Sequence, residues 1–191
     1  MSPTRKQLAL PNDLYTSIPS YGMTGTAKEG GATQEQLVTL ERLGLEIGLD
    51  FLDGFYWHFG DAVGADEQAF YWVSNTYPFN AITVAHPGVK IGIGEYKRAH
   101  CKASEIREPM EMISRNVRIA YLSHSGLFAL PHEYNEILRS DMWSTVRAAG
   151  NLHRPTWIIK PNGLYEFHET GYQTVLRRET LADDTRDAWA L

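Results

Sequence analysis

Between residues 20 and 160 the chain alternates short apolar runs with longer stretches of helical period, and no other feature narrows the possible folds so far. The apolar runs are Tyr21–Thr26, Gly54–Phe59, Ala81–Ala85, Gly126–Leu130 and Pro155–Ile159. Helical spacing appears after Thr33 in Leu37, Leu40, Leu43 or Gly44, and Ile47, and over Gly64–Thr76 in Ala65, Ala69, Trp72 or Val73, and Thr76. It returns after Pro109 in Met110, Ile113, Val117 and Ala120, and over Met142–Leu152 in Trp143, Val146 and Ala149 or Gly150. Spacing of three or four buries one face of a helix, and short apolar runs between such segments are strands buried on both faces. The expectation is an α/β fold, a mostly parallel sheet of about five strands with helices on both sides, Rossmann-like in its three layers. Thr33 followed by Gln36 is a capping box that starts the first helix.

The same pattern sets the boundaries. Residues 1–19, with Pro3, Pro11 and Pro19, read as an N-terminal arm, residues 20–168 as one domain, and residues 169–191 as a mixed-charge tail. Asn162-Gly163 is a turn signal that adds a hairpin strand at the end of the domain. The span Val89–Glu108 lacks a period and reads as a long loop. No apolar run nears the roughly 18 to 20 residues of a membrane span, and the first ten residues do not form a secretory signal. With a lone Cys101, the expected compartment is the cytoplasm. A formal charge of −5, spread along the chain, disfavours nucleic acid as a general partner, leaving only a local basic group at Lys97, Arg98 and Lys102.

In a parallel sheet, ligands bind beyond the carboxyl ends of the strands, where strand order reverses. Three turns follow apolar runs there: Thr24-Gly25-Thr26, Gly60 to Asp66, and Ser140 to Thr145. Glycines at Gly25, Gly60 and Gly64 let backbone approach a ligand, and free amides at a helix start hold anions. Asp61 and Asp66 suit sugar hydroxyls or acid–base work, although either also serves as a helix-start acid. Arg139, Ser140, Ser144 and Thr145 are phosphate-binding parts, with Trp143 (or Tyr96) as a stacking face for a base and Arg147 as a salt-bridge former. Arg115-Asn116 sits mid-helix, where an Asn requires a partner. The seven histidines have no metal-ligand spacing, so no metal is expected, and there is no GxSxG, phosphate-loop or GxGxxG motif.

Together the Met-Thr-Gly-Thr turn, the His58 to Asp66 segment, Arg115-Asn116 and the run Arg139 to Arg147 resemble the SLOG superfamily. That Rossmann-like group includes the Lonely Guy phosphoribohydrolases, DNA-processing protein A and many bacterial and phage proteins. The resemblance implies a nucleotide or ADP-ribose-like ligand lined by Gly25, Thr26, Gly60, Asp61, Gly64, Asp66, Asn116, Ser140, Ser144 and Thr145, and a homo-oligomer. One departure bears on activity. The Lonely Guy motif PGGxGTxxE supplies a glutamate for N-glycosidic cleavage, and placing its Gly-Thr on Ser144-Thr145 puts Ala148 at that position. The expectation is a binding or sensing module. An N-glycosidase or transferase using Asp61, Asp66 or Glu133 is the alternative.

Overall fold

The computed structural model describes residues 18–28, 30–89 and 97–172, so most of the N-terminal arm and most of the tail lie outside the described residues. The chain runs β1 (Ser20–Gly25), α1 (Gln34–Glu46), a 3-10 turn (Leu49–Phe51), β2 (Phe55–Phe59), α2 (Ala65–Thr76) and β3 (Ala81–Ala85). It continues with β4 (Gly88–Val89), β5 (Glu105–Ile106), β6 (Met110–Glu111), α3 (Met112–Leu122), β7 (Gly126–Leu130), α4 (Asp141–Asn151), β8 (Thr156–Ile159) and β9 (Tyr165–His168).

Among the described residues these strands form a 7-stranded sheet in the order β5-β3-β2-β1-β7-β8-β9, with β4 and β6 paired separately. All main-sheet pairs are parallel except β8 with β9, which run antiparallel through the Asn162-Gly163 turn. From β1 the chain winds outward through β2 and β3, then crosses back to β7 on the other side. Strand order therefore reverses between β1 and β7, and that crevice is where the α/β rule puts a ligand.

Alternate strand residues face opposite layers. Met23, Trp57, Phe59, Phe128, Leu130 and Ile159 point into the core shared with α1 and α2. Leu127, Ala129 and Ile158 point to α3 and α4, against Ile119, Trp143 and Val146. Trp57, Phe128 and Trp157 stack in sequence, with ring centroids 5.5 and 4.8 Å apart. Fully burying a side chain such as Phe59 contributes about 2–3 kcal/mol. The capping box at Thr33 and Gln36 forms as read, and Gln36 also donates to the Pro131 and Ile159 carbonyls, which moors α1 to the ends of β7 and β8.

Four sequence expectations change. The sheet has seven strands: to the five expected and the anticipated hairpin strand β9, the Val89–Glu108 span, read as a loop, adds β5 alongside β3. Pro109 does not open a helix: β6 intervenes, and α3 starts at Met112, where Glu111 accepts the Ile113 and Ser114 amides. The buried face of α3 is also only partly the one that apolar spacing chose, with Ala120 buried as read. Ile113 (63% exposed) and Val117 (47%) face outward, while Arg115, Asn116, Ile119 and Ala120 are buried. Hydrogen bonds from Arg115 to Gly60 and from Asn116 to Asp141 draw those polar residues inward and rotate the helix. On α2, Thr76 is exposed and Phe70 takes a buried place.

Candidate functional site

The loops following β1, β2 and β7 and the first turns of α2, α3 and α4 surround one cleft of about 1180 Å³. Its wall includes Thr24, Gly25 and Thr26 from the first loop, Gly64 and Asp66 from the second, and Arg139 and Ser140 from the third. Arg115 reaches it from α3.

Close backbone contacts explain the glycines here. Gly64, at φ 108°, precedes α2 without a side-chain cap, and a Cβ on it would lie 2.7 Å from the Thr26 carbonyl. That carbonyl accepts the Ala65 amide at 3.0 Å, so the first and second loops are joined at the start of α2. Gly60 lies behind the wall rather than on it. A Cβ there would be 2.5 Å from Asp66 Oδ2 and 2.8 Å from an Arg115 nitrogen, so Gly60 makes room for those two side chains.

Asp66 and Arg115 are both buried at this point. The Asp66 carboxyl is pushed up from 3.8 to about 6. Burial is the largest cause, opposed by the Arg115 guanidinium and by the backbone amides of Ala62, Gly60 and Gly25. Its Oδ1 has no hydrogen-bond partner. Arg115 donates through Nε and one terminal nitrogen to Asn116 Oδ1, at 3.0 and 2.8 Å, and Asn116 Nδ2 donates to the Asp141 carbonyl at 3.0 Å. This pair therefore links the floor of the cleft to the start of α4. Asn116 itself does not line the cleft, but it has the partner that its position in a helix called for.

The remaining candidates divide between wall and interior. Arg139 is exposed on the cleft wall, and neighbouring Ser140 caps α4 by accepting the Trp143 amide at 3.4 Å. Trp143, Ser144 and Thr145 are off the wall. Trp143 is a core residue whose ring meets Tyr172, so it offers no stacking face for a base, and Thr145 donates to the Asp141 carbonyl within α4. Tyr96 lies outside the described residues. Arg147 forms the expected ion pair, with Glu136 at 2.9 Å.

Asp61 is likewise off the wall. Its buried carboxylate accepts from Arg98 Nε at 3.0 Å and from the Cys101 amide at 3.0 Å. Fully buried, absent from the wall and committed to Arg98 and the Cys101 amide, it does not face a sugar in the cleft as folded.

Three arrangements go beyond the sequence reading, in which Glu133 figures only as an alternative catalytic carboxylate and Lys97 only as part of a local basic group. Lys28 and Glu133 pair side chain to side chain from the first and third loops, and both line the cleft. Lys97 lines it from the segment read as a loop. On the other face of the sheet, His58 Nδ1 and His86 Nε2 lie 2.9 Å apart, both rings buried, and burial holds both well below the ordinary histidine range. Only the alternating register of β2 and β3, which puts both side chains on one face, brings these two together. Among the described residues no cluster of three or more metal-ligating side chains occurs, and no helix is long and apolar enough to cross a membrane. No protein-family model, curated protein or solved structure matches this chain.

Proposed function

We propose that the cleft binds a nucleotide or nucleotide-derived ligand, including ADP-ribose-like molecules, and acts as a sensing or sequestering site. The observation that carries this reading is the meeting of three strand-end loops and an exposed arginine on one cleft at the strand-order reversal. Arg139 and the first turn of α4 meet the phosphate, because helix-start amides and a guanidinium both favour an anion. Asp66 at the floor accepts from a sugar hydroxyl through its unpartnered Oδ1. The four resembling segments lie around or directly behind this cleft, which supports membership of the SLOG superfamily as part of the same proposal. The outward stripe of Ile113, Val117 and Tyr121 on α3 supports the homo-oligomer.

Binding is favoured over cleavage by the third loop. Laid from Pro131, the residue after β7, the PGGxGTxxE pattern puts Arg139 where the glutamate would stand; laid on Ser144-Thr145, it puts Ala148 there. In either register the carboxylate is missing. Glu133 is paired with Lys28, and Glu136 with Arg147 and Tyr172. Asp66 supports the second reading, N-glycosidic cleavage, because a carboxyl near 6 can exchange protons at neutral pH.

The test is a thermal-shift and calorimetric panel of AMP, ADP, ATP, NAD and ADP-ribose, with chromatography for released base. Arg139→Gln should weaken binding of the phosphorylated probes about tenfold while leaving adenosine unchanged. If no probe binds, the nucleotide reading fails. Base release that Asp66→Asn abolishes, with binding retained, establishes the catalytic reading instead.

A further inference from the structure

We propose that Asp61 is a positioning residue: it pins residues 97–101 across the β2–α2 turn and thereby holds the Lys97 ammonium at the cleft, where it meets the ligand's anionic group. This rests on the nucleotide reading above for the identity of the ligand. It does not rest on it for the pinning itself.

The fastening is dense and local. Two contacts join Asp61 Oδ2 to the Arg98 guanidinium, at 3.0 Å from Nε and 2.8 Å from a terminal nitrogen. Asp61 Oδ1 accepts the Cys101 amide at 3.0 Å, and the Asp61 carbonyl accepts the Ala99 amide at 3.0 Å. In the opposite direction, the Val63 amide donates to the Lys97 carbonyl at 3.1 Å, and Ala62 pairs with Arg98 as an antiparallel bridge. Asp61 adopts φ 55°, a left-handed conformation that an aspartate tolerates better than most residues, and this turns backbone and side chain toward the same segment.

The consequence for the cleft follows from connectivity. Lys97 is the residue next to Arg98, and its carbonyl is bound one residue before Gly64, so its position depends on the same fastening. Lys97 lines the cleft; Asp61 does not. Since β2 and β7 flank β1 on opposite sides, Lys97 enters from the β2 side and Arg139 from the β7 side. The two cations thus bracket an anionic ligand. An aspartate inside the fold sets one of them.

Two measurements test this, one of them independent of any ligand. Cys101 closes the pinned segment with its side chain buried in the core, so its rate of reaction with a thiol-specific disulfide reagent reports opening. Arg98→Ala leaves the Asp61 charge beside the thiol and should still raise that rate about tenfold or more, as should Asp61→Asn, with Lys97→Gln unchanged. Amide exchange at Ala99 and Cys101 should rise in parallel. Unchanged rates in both Asp61→Asn and Arg98→Ala overturn the pinning.

In the second measurement, Lys97→Gln should weaken ADP binding about tenfold, Asp61→Asn should do so similarly, and the double variant should be no weaker than either. Additive losses overturn the positioning role. A ratio of ADP to 2′-deoxy-ADP affinity that collapses in Asp61→Asn also overturns it, since Asp61 would then touch the sugar. If the native protein binds no ADP or other panel nucleotide, it is the ligand reading that fails, and the thiol and exchange rates still decide the pinning.

Discussion

Replacing Asp66 with asparagine should make the protein's stability respond differently to pH, with a sign and size that follow from the floor of the cleft. The carboxyl is buried, and its pKa rises from 3.8 to about 6 on folding. A raised carboxyl contributes stability that is fully present below its unfolded value, and that contribution is lost as pH rises through the folded one. Over the whole range the loss is about 3 kcal/mol, of which about 1 kcal/mol falls between pH 5 and 7.5. Asparagine cannot ionise, so Asp66→Asn escapes this loss. The attraction between Arg115 and an ionised Asp66 is already contained in the pKa, so what remains of the substitution's effect is independent of pH and cancels when the variant is compared with the native protein at two pH values. Urea unfolding at pH 5 and 7.5, with equal m-values, should therefore show Asp66→Asn gaining about 1 kcal/mol relative to the native protein at the higher pH. A difference between the two proteins that does not vary with pH would show an ordinary carboxyl, and the argument from burial would be refuted. A gain at the lower pH would refute it as well.

Two further outcomes are expected. His58 and His86 are held neutral by burial, so the stability they confer is present above pH 6.5 and is lost as pH falls below it, by up to about 1.4 kcal/mol per pH unit for each ring. The double variant His58→Leu, His86→Leu should show a shallower loss in urea unfolding between pH 6.5 and 5. Gly60→Ala should cost about 2–4 kcal/mol, because its Cβ would meet Asp66 Oδ2 at 2.5 Å and displace the buried pair. Gly54→Ala, whose nearest neighbour would be the Asn80 carbonyl at 3.7 Å, should cost less than about 1 kcal/mol in the same unfolding assay.

Elements with strong local signals were legible without coordinates. Thr33 and Gln36 cap α1 as their spacing requires, and Asn162-Gly163 turns β8 into β9. Local geometry suffices in both, because the partners are three residues apart or consecutive. The face of α3 was partly misread for the opposite reason. Ile113 and Val117 satisfy a helical period, yet Arg115 and Asn116 are buried in their place by partners 55 and 25 residues away. Polar residues buried by distant hydrogen bonds leave no trace in hydropathy.

The sequence by itself determined the layer architecture, since alternating strand and helix periods with short connections admit little besides a parallel sheet covered on both faces. It also determined which three turns meet, because parallel strands put all their carboxyl ends at one edge. Which side chains in those turns face the cleft was decided only by tertiary structure. Asp61 and Asp66 stand five residues apart in the same acidic, glycine-bearing turn, and nothing local distinguishes them. Asp61 goes inside because Arg98 and the Cys101 amide, from a segment nearly forty residues later, satisfy its carboxylate. Asp66 goes to the floor of the cleft because Gly60 leaves space for it beside Arg115. A charge is buried wherever the fold supplies its partner, and those partners are assembled only when the whole sheet has formed.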